Sequence, residues 1–273
     1  MKRFAVLGHP VAHSLSPMMH GAWIAAAGIA ARYERIDVGP DAFGLAAALE
    51  GLSGANVTIP HKEAAAAFAD QRDPRVERLG AANVLSRHGN GWAAANTDAP
   101  GFIAALDEAA PDWRARVKTA LVIGAGGAGV AILDGLAEAG IERLFVINRT
   151  LLRAMRATEA VQGAIALDWR NLADVFGVSD LIVNATSLGL GGVNKQDWPF
   201  ARAKRGAIAL DAVYKPLRTD FLSQAEDHGL PTVDGLGMLI HQGALAFQLW
   251  FGHKPDTKTA RTLLLGALQE RCE

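Results

Sequence analysis

Residues 117–150 read VKTALVIGAGGAGVAILDGLAEAGIERLFVINRT, and they hold the clearest chemistry in the chain. Gly124, Gly126 and Gly129 fall at the G-x-G-x-x-G spacing, with Ala125, Gly127 and Ala128 between them. The first glycine of such a turn allows a tight bend, the second lets backbone approach a pyrophosphate, and the third lets helix and strand pack closely. The free N–H groups that open the next helix then face the phosphates. The flanks fit: 120–123 is a short apolar run, 130–139 has apolar residues at helical spacing, and 144–147 is a second apolar run. Gly140 stands where a helix-ending glycine belongs. The stretch predicts strand, glycine turn, helix, strand, and with it dinucleotide binding. NAD sites place Asp or Glu roughly 20 residues beyond the glycines, to hold the ribose 2′-OH. This chain has Asn148-Arg149-Thr150 there, with Arg153 shortly after. A guanidinium suits a 2′-phosphate because it offers a fork of donors and keeps its charge. The expected cofactor is therefore NADP, with Arg149 on the 2′-phosphate.

Other segments carry polar groups at spacings that need an explanation. In His13-Ser14-Leu15-Ser16-Pro17, two hydroxyls at the positive end of a helix suit a small carboxylate. Helix capping accounts for the same pair, with Ser16 as N-cap and Pro17 at the first helical position, and taken alone it is the better account. In Asn56-Val57-Thr58-Ile59-Pro60-His61-Lys62, Asn56 and Thr58 share one strand face. Lys62 opens a helix, where its charge opposes the dipole. Asn83 ends Gly80-Ala81-Ala82-Asn83, and Asp98 lies in Asn96-Thr97-Asp98-Ala99-Pro100-Gly101; both also read as turn or cap residues. Asn184-Ala185-Thr186-Ser187-Leu188-Gly189 and Asp211-Ala212-Val213-Tyr214-Lys215-Pro216 follow apolar runs. If those runs are parallel strands, Thr186, Ser187 and Val213 lie at the carboxyl ends, where open α/β sheets bind ligands. Asp234-Gly235-Leu236-Gly237 leads to Gln242 on an apolar helix, and Gly235 is assigned to the cofactor with them.

The elements that position these groups alternate along the chain. Strands are expected at 3–7, 32–38 and 55–59, and helices at 17–27, 41–49, from Pro60 to about 69, and 74–79. A hairpin closes around His88-Gly89-Asn90-Gly91, with Asn-Gly as the turn signal. A helix at 98–110 leads into the dinucleotide unit. Strands follow at 181–185, 207–212 and 231–233, then helices at about 236–251 and 256–269 with no further sheet to join. Asp41 is a candidate N-cap. The last two helices are expected to pack back on the first domain. The fold class is α/β: an N-terminal substrate domain, 1–97 plus about 237–273, and a Rossmann-type doubly wound domain, 98–236, with a cleft between them.

Composition narrows the class. A chain of 273 residues with 50% hydrophobic residues has the length of two globular domains. A net charge of −1 without a basic block gives no reason to expect nucleic acid or an anionic membrane surface as partner. Cys272 is the single cysteine, which fits a reducing compartment and cytoplasmic residence. The apolar run after Met1-Lys2-Arg3 is too short for a signal peptide, and 18–31 is too short and too broken to span a bilayer. The eight histidines show no metal-ligand spacing, so no metal is expected.

Taken together, these motifs resemble those of the shikimate dehydrogenase family. The pattern GxPxxHSxSPxxH runs from Gly8 to His20, NVTxPxK from Asn56 to Lys62, GAxN from Gly80 to Asn83, and NTDxxG from Asn96 to Gly101. GAGGAG, NRT, NATSxG and a late DGxxM…Q segment complete it. The resemblance implies NADPH-dependent, reversible reduction of 3-dehydroshikimate to shikimate, in the chorismate route to the aromatic amino acids. It implies that Ser14 and Ser16 hold the substrate carboxylate. Thr58, Asn83, Asp98, Tyr214 and Gln242 would bind hydroxyls and ring, and Lys62 would be catalytic together with Asp98. Gly21 and Val84 depart from the residues most members carry there, and 190–198 matches no version of that loop. Quinate or aminoshikimate therefore stand as alternative substrates. A non-catalytic NADP- and metabolite-binding regulator is the alternative of another class, and a methylenetetrahydrofolate dehydrogenase a weaker one. A small-molecule substrate and a monomer or homodimer are expected.

Overall fold

The computed structural model describes residues 1–40, 42–192 and 196–269. Asp41 and Cys272 lie outside that set, as do three residues of the 190–198 loop. The chain divides into two units: Met1–Asp98 with the stretch from Leu239 onward, and Ala99–Met238.

The first unit holds β1 (Lys2–Gly8), α1 (Ser16–Ala26), β2 (Ala31–Asp37), α2 (Ala42–Ala48), β3 (Gly54–Val57), α3 (Lys62–Phe68), β4 (Gln71–Arg72), α4 (Pro74–Leu79), β5 (Val84–His88) and β6 (Gly91–Ala95). The sheet order is β2-β1-β3-β5-β6-β4. Strands β1, β2 and β3 are parallel, β5 runs against β3, and β6 runs against β5. The carboxyl ends of β1, β2, β3 and β6 and the start of β5 therefore share one sheet edge. That edge carries the serine loop, Thr58 to Lys62, Asn83, and Asn96 to Asp98. One face of the sheet packs a core that includes Leu7, Leu45, Val57, Val76, Leu85 and Trp92.

The second unit begins one residue into α5 (Asp98–Ala109), which is followed by α6 (Trp113–Arg116). It continues through β7 (Thr119–Ile123), α7 (Gly127–Glu138), β8 (Arg143–Ile147), α8 (Leu151–Ala160), β9 (Ala164–Leu167), α9 (Leu172–Phe176), β10 (Leu181–Asn184), β11 (Ile208–Asp211), α10 (Asp220–Asp227) and β12 (Thr232–Val233). All six strands are parallel, in the order β12-β11-β10-β7-β8-β9. This is the doubly wound Rossmann order, whose strand sequence reverses between β7 and β10. Strands β7, β10 and β11 are buried on both faces, which is why they read as unbroken apolar runs.

Two helices end the chain: α11 (Gly235–Phe251), which contains the boundary between the units, and α12 (Thr257–Gln269). In the first unit, Trp23 Nε1 donates to the Asp256 carbonyl at 2.8 Å and Trp250 Nε1 to the Leu85 carbonyl at 3.2 Å. His20 stacks on Tyr33 with ring centres 4.3 Å apart, with Trp23, Phe247 and Trp250 around it. Among the described residues no helix is long and apolar enough to cross a membrane.

Three local expectations change. Ser16 is the first residue of α1 and not its cap: Met19 N–H donates to the Leu15 carbonyl at 3.2 Å, so the helical ladder starts one residue earlier. Pro60 does not open α3. It follows a cis peptide bond in a turn closed by His61 N–H on the Thr58 carbonyl at 2.9 Å, and the helix starts at Lys62. The hairpin loop is Gly89-Asn90, because Gly91 already pairs with His88. Gly89 has φ 58° and supplies the left-handed conformation that a two-residue loop needs.

Candidate active site

In the first unit the structure gathers Lys62, Asn83, Thr97, Asp98 and Gln242. Lys62 Nζ donates to Asp98 Oδ2, and the two side chains are only 13% and 7% exposed. Asn83 Nδ2 donates to Asp98 Oδ1 at 3.0 Å, to Thr97 Oγ1 at 2.9 Å and to Gln242 Oε1 at 3.1 Å. Thr97 N–H donates to Asn83 Oδ1 at 2.7 Å, and Thr97 Oγ1 donates to the Gln242 carbonyl at 3.0 Å. Backbone contacts fix the bases of these side chains. Ala82 N–H donates to the Lys62 carbonyl at 2.9 Å, and Asp98 N–H to Asn96 Oδ1 at 3.1 Å. Asn96 in turn donates to the Ala81 carbonyl at 2.9 Å. A buried ion pair is costly unless further hydrogen bonds support it, and here Asn83 engages the second Asp98 oxygen while two Lys62 donors stay available to a ligand. The sequence reading does not single out Thr97, because its hydroxyl acquires a role only when Gln242 arrives from the last third of the chain.

The other substrate candidates sit at the same edge or in the second unit. Thr58 follows β3 with its N–H on the Leu7 carbonyl at 2.8 Å. Ser14 Oγ accepts from Ser16 N–H at 3.3 Å, and Ser16 is 5% exposed. The cap position of α1 is Leu15, with no side-chain cap bond. The hydroxyl of Ser16 is thus not committed to capping, contrary to the simpler expectation. Tyr214 is half-buried beyond β11, in the second unit.

The cofactor candidates lie at carboxyl ends of the second sheet. Gly124 has φ 109°, and a Cβ there would come within 2.9 Å of the Ala185 carbonyl. Thr186 Cγ2 faces the same point at 3.0 Å. A Cβ on Gly129 would come within 2.0 Å of the Gly124 carbonyl, so the helix–strand approach leaves no room for one. Gly126 is different. Its φ of −86° suits any residue, and a Cβ there would meet no protein atom within 4 Å. Neither backbone nor packing demands that glycine, whereas a pyrophosphate pressed on the N-terminus of α7 does. Ala125, Gly127 and Ala128 complete this turn, and α7 has no side-chain cap. The residues fit a dinucleotide.

Asn148 is tied to that turn. Ala125 N–H donates to its Oδ1 at 3.2 Å, and its Nδ2 donates to the Thr150 carbonyl at 3.0 Å. Both ends of the amide are used inside the protein, so Asn148 positions the glycine turn. Arg149 and Arg153 are exposed beside the uncapped start of α8. The hydroxyl of Thr186 donates to Asn184 Oδ1 at 2.7 Å and accepts from Leu188 N–H at 3.1 Å, so it shapes its own turn, while Ser187 is exposed. Buried Asp211 accepts from Asn184 Nδ2, Val213 N–H and Thr219 Oγ1 at 3.1, 2.9 and 2.6 Å. Burial still outweighs these donors and pushes its carboxyl up to about 6. Gly235 allows α11 to start against this segment, since a Cβ there would lie 2.4 Å from the Ala212 carbonyl. Among the described residues no group of three or more His, Cys, Asp or Glu could hold a metal ion.

Comparison with known proteins gives this geometry a context. The family profile for the shikimate dehydrogenase substrate binding domain matches residues 6–85, that for shikimate / quinate 5-dehydrogenase matches 107–210, and that for the shikimate 5′-dehydrogenase C-terminal domain matches 235–265. Shikimate dehydrogenase (NADP(+)) of Azorhizobium caulinodans is 44% identical over 261 residues, covering 94% of this chain and 92% of the relative. That of Methylobacterium radiotolerans is 46% identical over 262 residues, covering 93% and 92%. The crystal structure of shikimate 5-dehydrogenase from Thermus thermophilus, in complex with NADP(H) and shikimate, is 40% identical with a TM-score of 0.86, over 96% of this chain and 98% of that one. Quinate dehydrogenase from Corynebacterium glutamicum, in complex with NAD, is 31% identical with a TM-score of 0.88, over 97% and 99%. The lysine–aspartate pair, the glycine turn and the matching profiles converge, and the chain belongs to the shikimate dehydrogenase family.

Proposed function

We propose that this chain catalyses the reversible NADPH-dependent reduction of 3-dehydroshikimate to shikimate. The observation that carries the reading is the buried Lys62–Asp98 pair, held by Asn83 in a family whose curated relatives are NADP-dependent shikimate dehydrogenases. The bound cofactor supplies the hydride that goes to the ketone carbon. The carbonyl oxygen then gains negative charge and needs a proton. Lys62 Nζ donates it, and takes it back in the reverse direction. An ammonium has three donors, and Asp98 occupies one of them. Asp98 keeps acceptor capacity beyond its bonds to Lys62 and Asn83, and it receives a neighbouring substrate hydroxyl. Thr58, Asn83, Tyr214 and Gln242 bind the remaining hydroxyls and the ring, and Ser14 and Ser16 hold the carboxylate. Gly124 to Gly129 cradle the pyrophosphate, Arg149 and Arg153 receive the 2′-phosphate, and Thr186, Ser187, Val213 and Gly235 line the rest of the cofactor. The protein works in the cytoplasm as a monomer or homodimer.

Initial rates test this directly. Shikimate and quinate are each offered with NADP⁺ and with NAD⁺, and 3-dehydroshikimate with NADPH. Shikimate with NADP⁺ should give the highest kcat/KM of the oxidative pairs. No turnover of shikimate, or a preference for NAD⁺, would sink the reading.

A further inference from the structure

We propose that Arg35 makes this enzyme select an acid: it pins the serine loop and supplies the positive charge that the substrate carboxylate meets. The proposal rests on the reading that Ser14 and Ser16 hold that carboxylate.

Strand β2 reads ARYERID, so Tyr33, Arg35 and Asp37 share one face. Each anchors part of the site edge. Tyr33 OH donates to Asn56 Oδ1 at 2.7 Å. Asp37 accepts from Val11 N–H at 3.2 Å and pairs with His9 at 2.6 Å, where the serine loop begins. Arg35 donates to the Ser14 carbonyl twice, from Nε at 3.0 Å and Nη2 at 2.7 Å, where the loop ends. The loop is thus held at both ends by one strand face, and Ser14 Oγ in turn receives Ser16 N–H.

The charge on Arg35 is the informative part. Its neighbour Glu34 pairs with Arg3 instead, and Asp37 is engaged by His9 and Val11. Among the described residues Arg35 has no carboxylate partner. Its bonds go to one neutral carbonyl, and Nη1 makes none. A guanidinium placed for stability would take Asp37, the acid on its own strand face, because charge-assisted pairs are the stronger ones. Bonded to the Ser14 carbonyl, two residues before the start of α1, which has no side-chain cap, it instead adds a full charge to a helix dipole that already favours an anion.

The experiment compares shikimate with its uncharged methyl ester, using wild type, Arg35→Gln, Arg35→Lys and Ser14→Ala. Arg35→Gln should lower kcat/KM for shikimate roughly 10-fold, the scale of one charge-assisted hydrogen bond, with the loss in KM and kcat within about 2-fold. The ester should lose less than about 3-fold, since only loop positioning is affected. Arg35→Lys keeps charge without the fork and should recover most of the acid's loss. Raising ionic strength should weaken shikimate use by wild type and leave Arg35→Gln nearly flat. Equal losses for acid and ester, or a loss that sits in kcat, overturns the role of Arg35 while the serine site stands. If wild type uses both forms alike and Ser14→Ala changes neither KM, the carboxylate reading itself fails, and this proposal with it.

Discussion

His20 has 0% exposure, and neither ring nitrogen has a hydrogen-bond partner. Burial pushes its imidazole down to about 3 from an ordinary 6.5. A group whose folded pKa is depressed gives its full contribution above the unfolded pKa and loses it as pH falls. At about 1.4 kcal/mol per pH unit, acidification from pH 6.5 toward 3 withdraws up to about 5 kcal/mol of stability. The full range equals the low end of the roughly 5–15 kcal/mol margin of ordinary domains. The perturbation is His20→Leu, similar in volume, unable to titrate, and without two unsatisfied polar atoms worth about 1–3 kcal/mol each. Loss of the stack on Tyr33 works against it. Urea unfolding, followed by circular dichroism, is measured from pH about 7.5 to about 5. Wild type should lose roughly 2 kcal/mol more than His20→Leu between pH 6.5 and about 5. The same slope for both proteins would refute the claim that His20 is buried neutral and without compensation.

Lys62→Ala should lower kcat by roughly 10²–10⁴-fold with little change in KM for shikimate, measured by steady-state kinetics; a near-normal kcat with a raised KM would make Lys62 a binding residue only. Arg149→Ala should weaken NADP⁺ binding by about 1.5–3 kcal/mol and leave NAD⁺ almost unchanged, read by fluorescence titration; equal losses would remove Arg149 from the 2′-phosphate. Asp211→Asn tests the opposite pH response. A carboxyl raised from 3.8 to about 6 favours folding when protonated, so its contribution falls by up to about 3 kcal/mol as pH rises through that window. The variant should lose that dependence in urea unfolding, and a retained wild-type slope would count against it. Between about pH 4 and 6, then, acid weakens the first unit through His20 and favours the second through Asp211.

The parts of this fold that the sequence displays are those with one dominant physical demand. Strands β7, β10 and β11 are buried on both faces, and their apolar runs show it. The glycine turn is legible because Gly124 and Gly129 have steric reasons that no other residue meets. Strand β9 escapes notice: it is four residues long, half-exposed and lies at a sheet edge. Helix α8 is equally quiet, with polar residues masking a narrow buried stripe at Ala154 and Ala157. Ser16 misleads because Ser-x-Ser-Pro satisfies the capping rule on paper, while the bond that starts the ladder belongs to Leu15. At the candidate site, residue types were visible and partners were not. Gln242 meets Asn83 across 159 positions, a closure that no local pattern records. Arg35 looks like a solvated charge on an alternating strand until its two bonds to Ser14 are seen.

The first unit is interrupted in sequence: its core needs Phe247, Trp250 and Asp256, which lie beyond the whole of the second unit. On a ribosome, synthesis runs from the N-terminus at about 5–20 residues per second, and a domain folds once its parts have emerged. Residues 99–238 are contiguous and can close their sheet while the ring cluster around His20 still lacks its lid of aromatic residues. The N-terminal unit is therefore translated first and completed last. During that interval Phe4, Trp23 and Tyr33 lack the rings of Phe247, Trp250 and Phe251 that pack on them in the finished unit, and exposed apolar surface of this kind is what makes incompletely folded chains prone to aggregate.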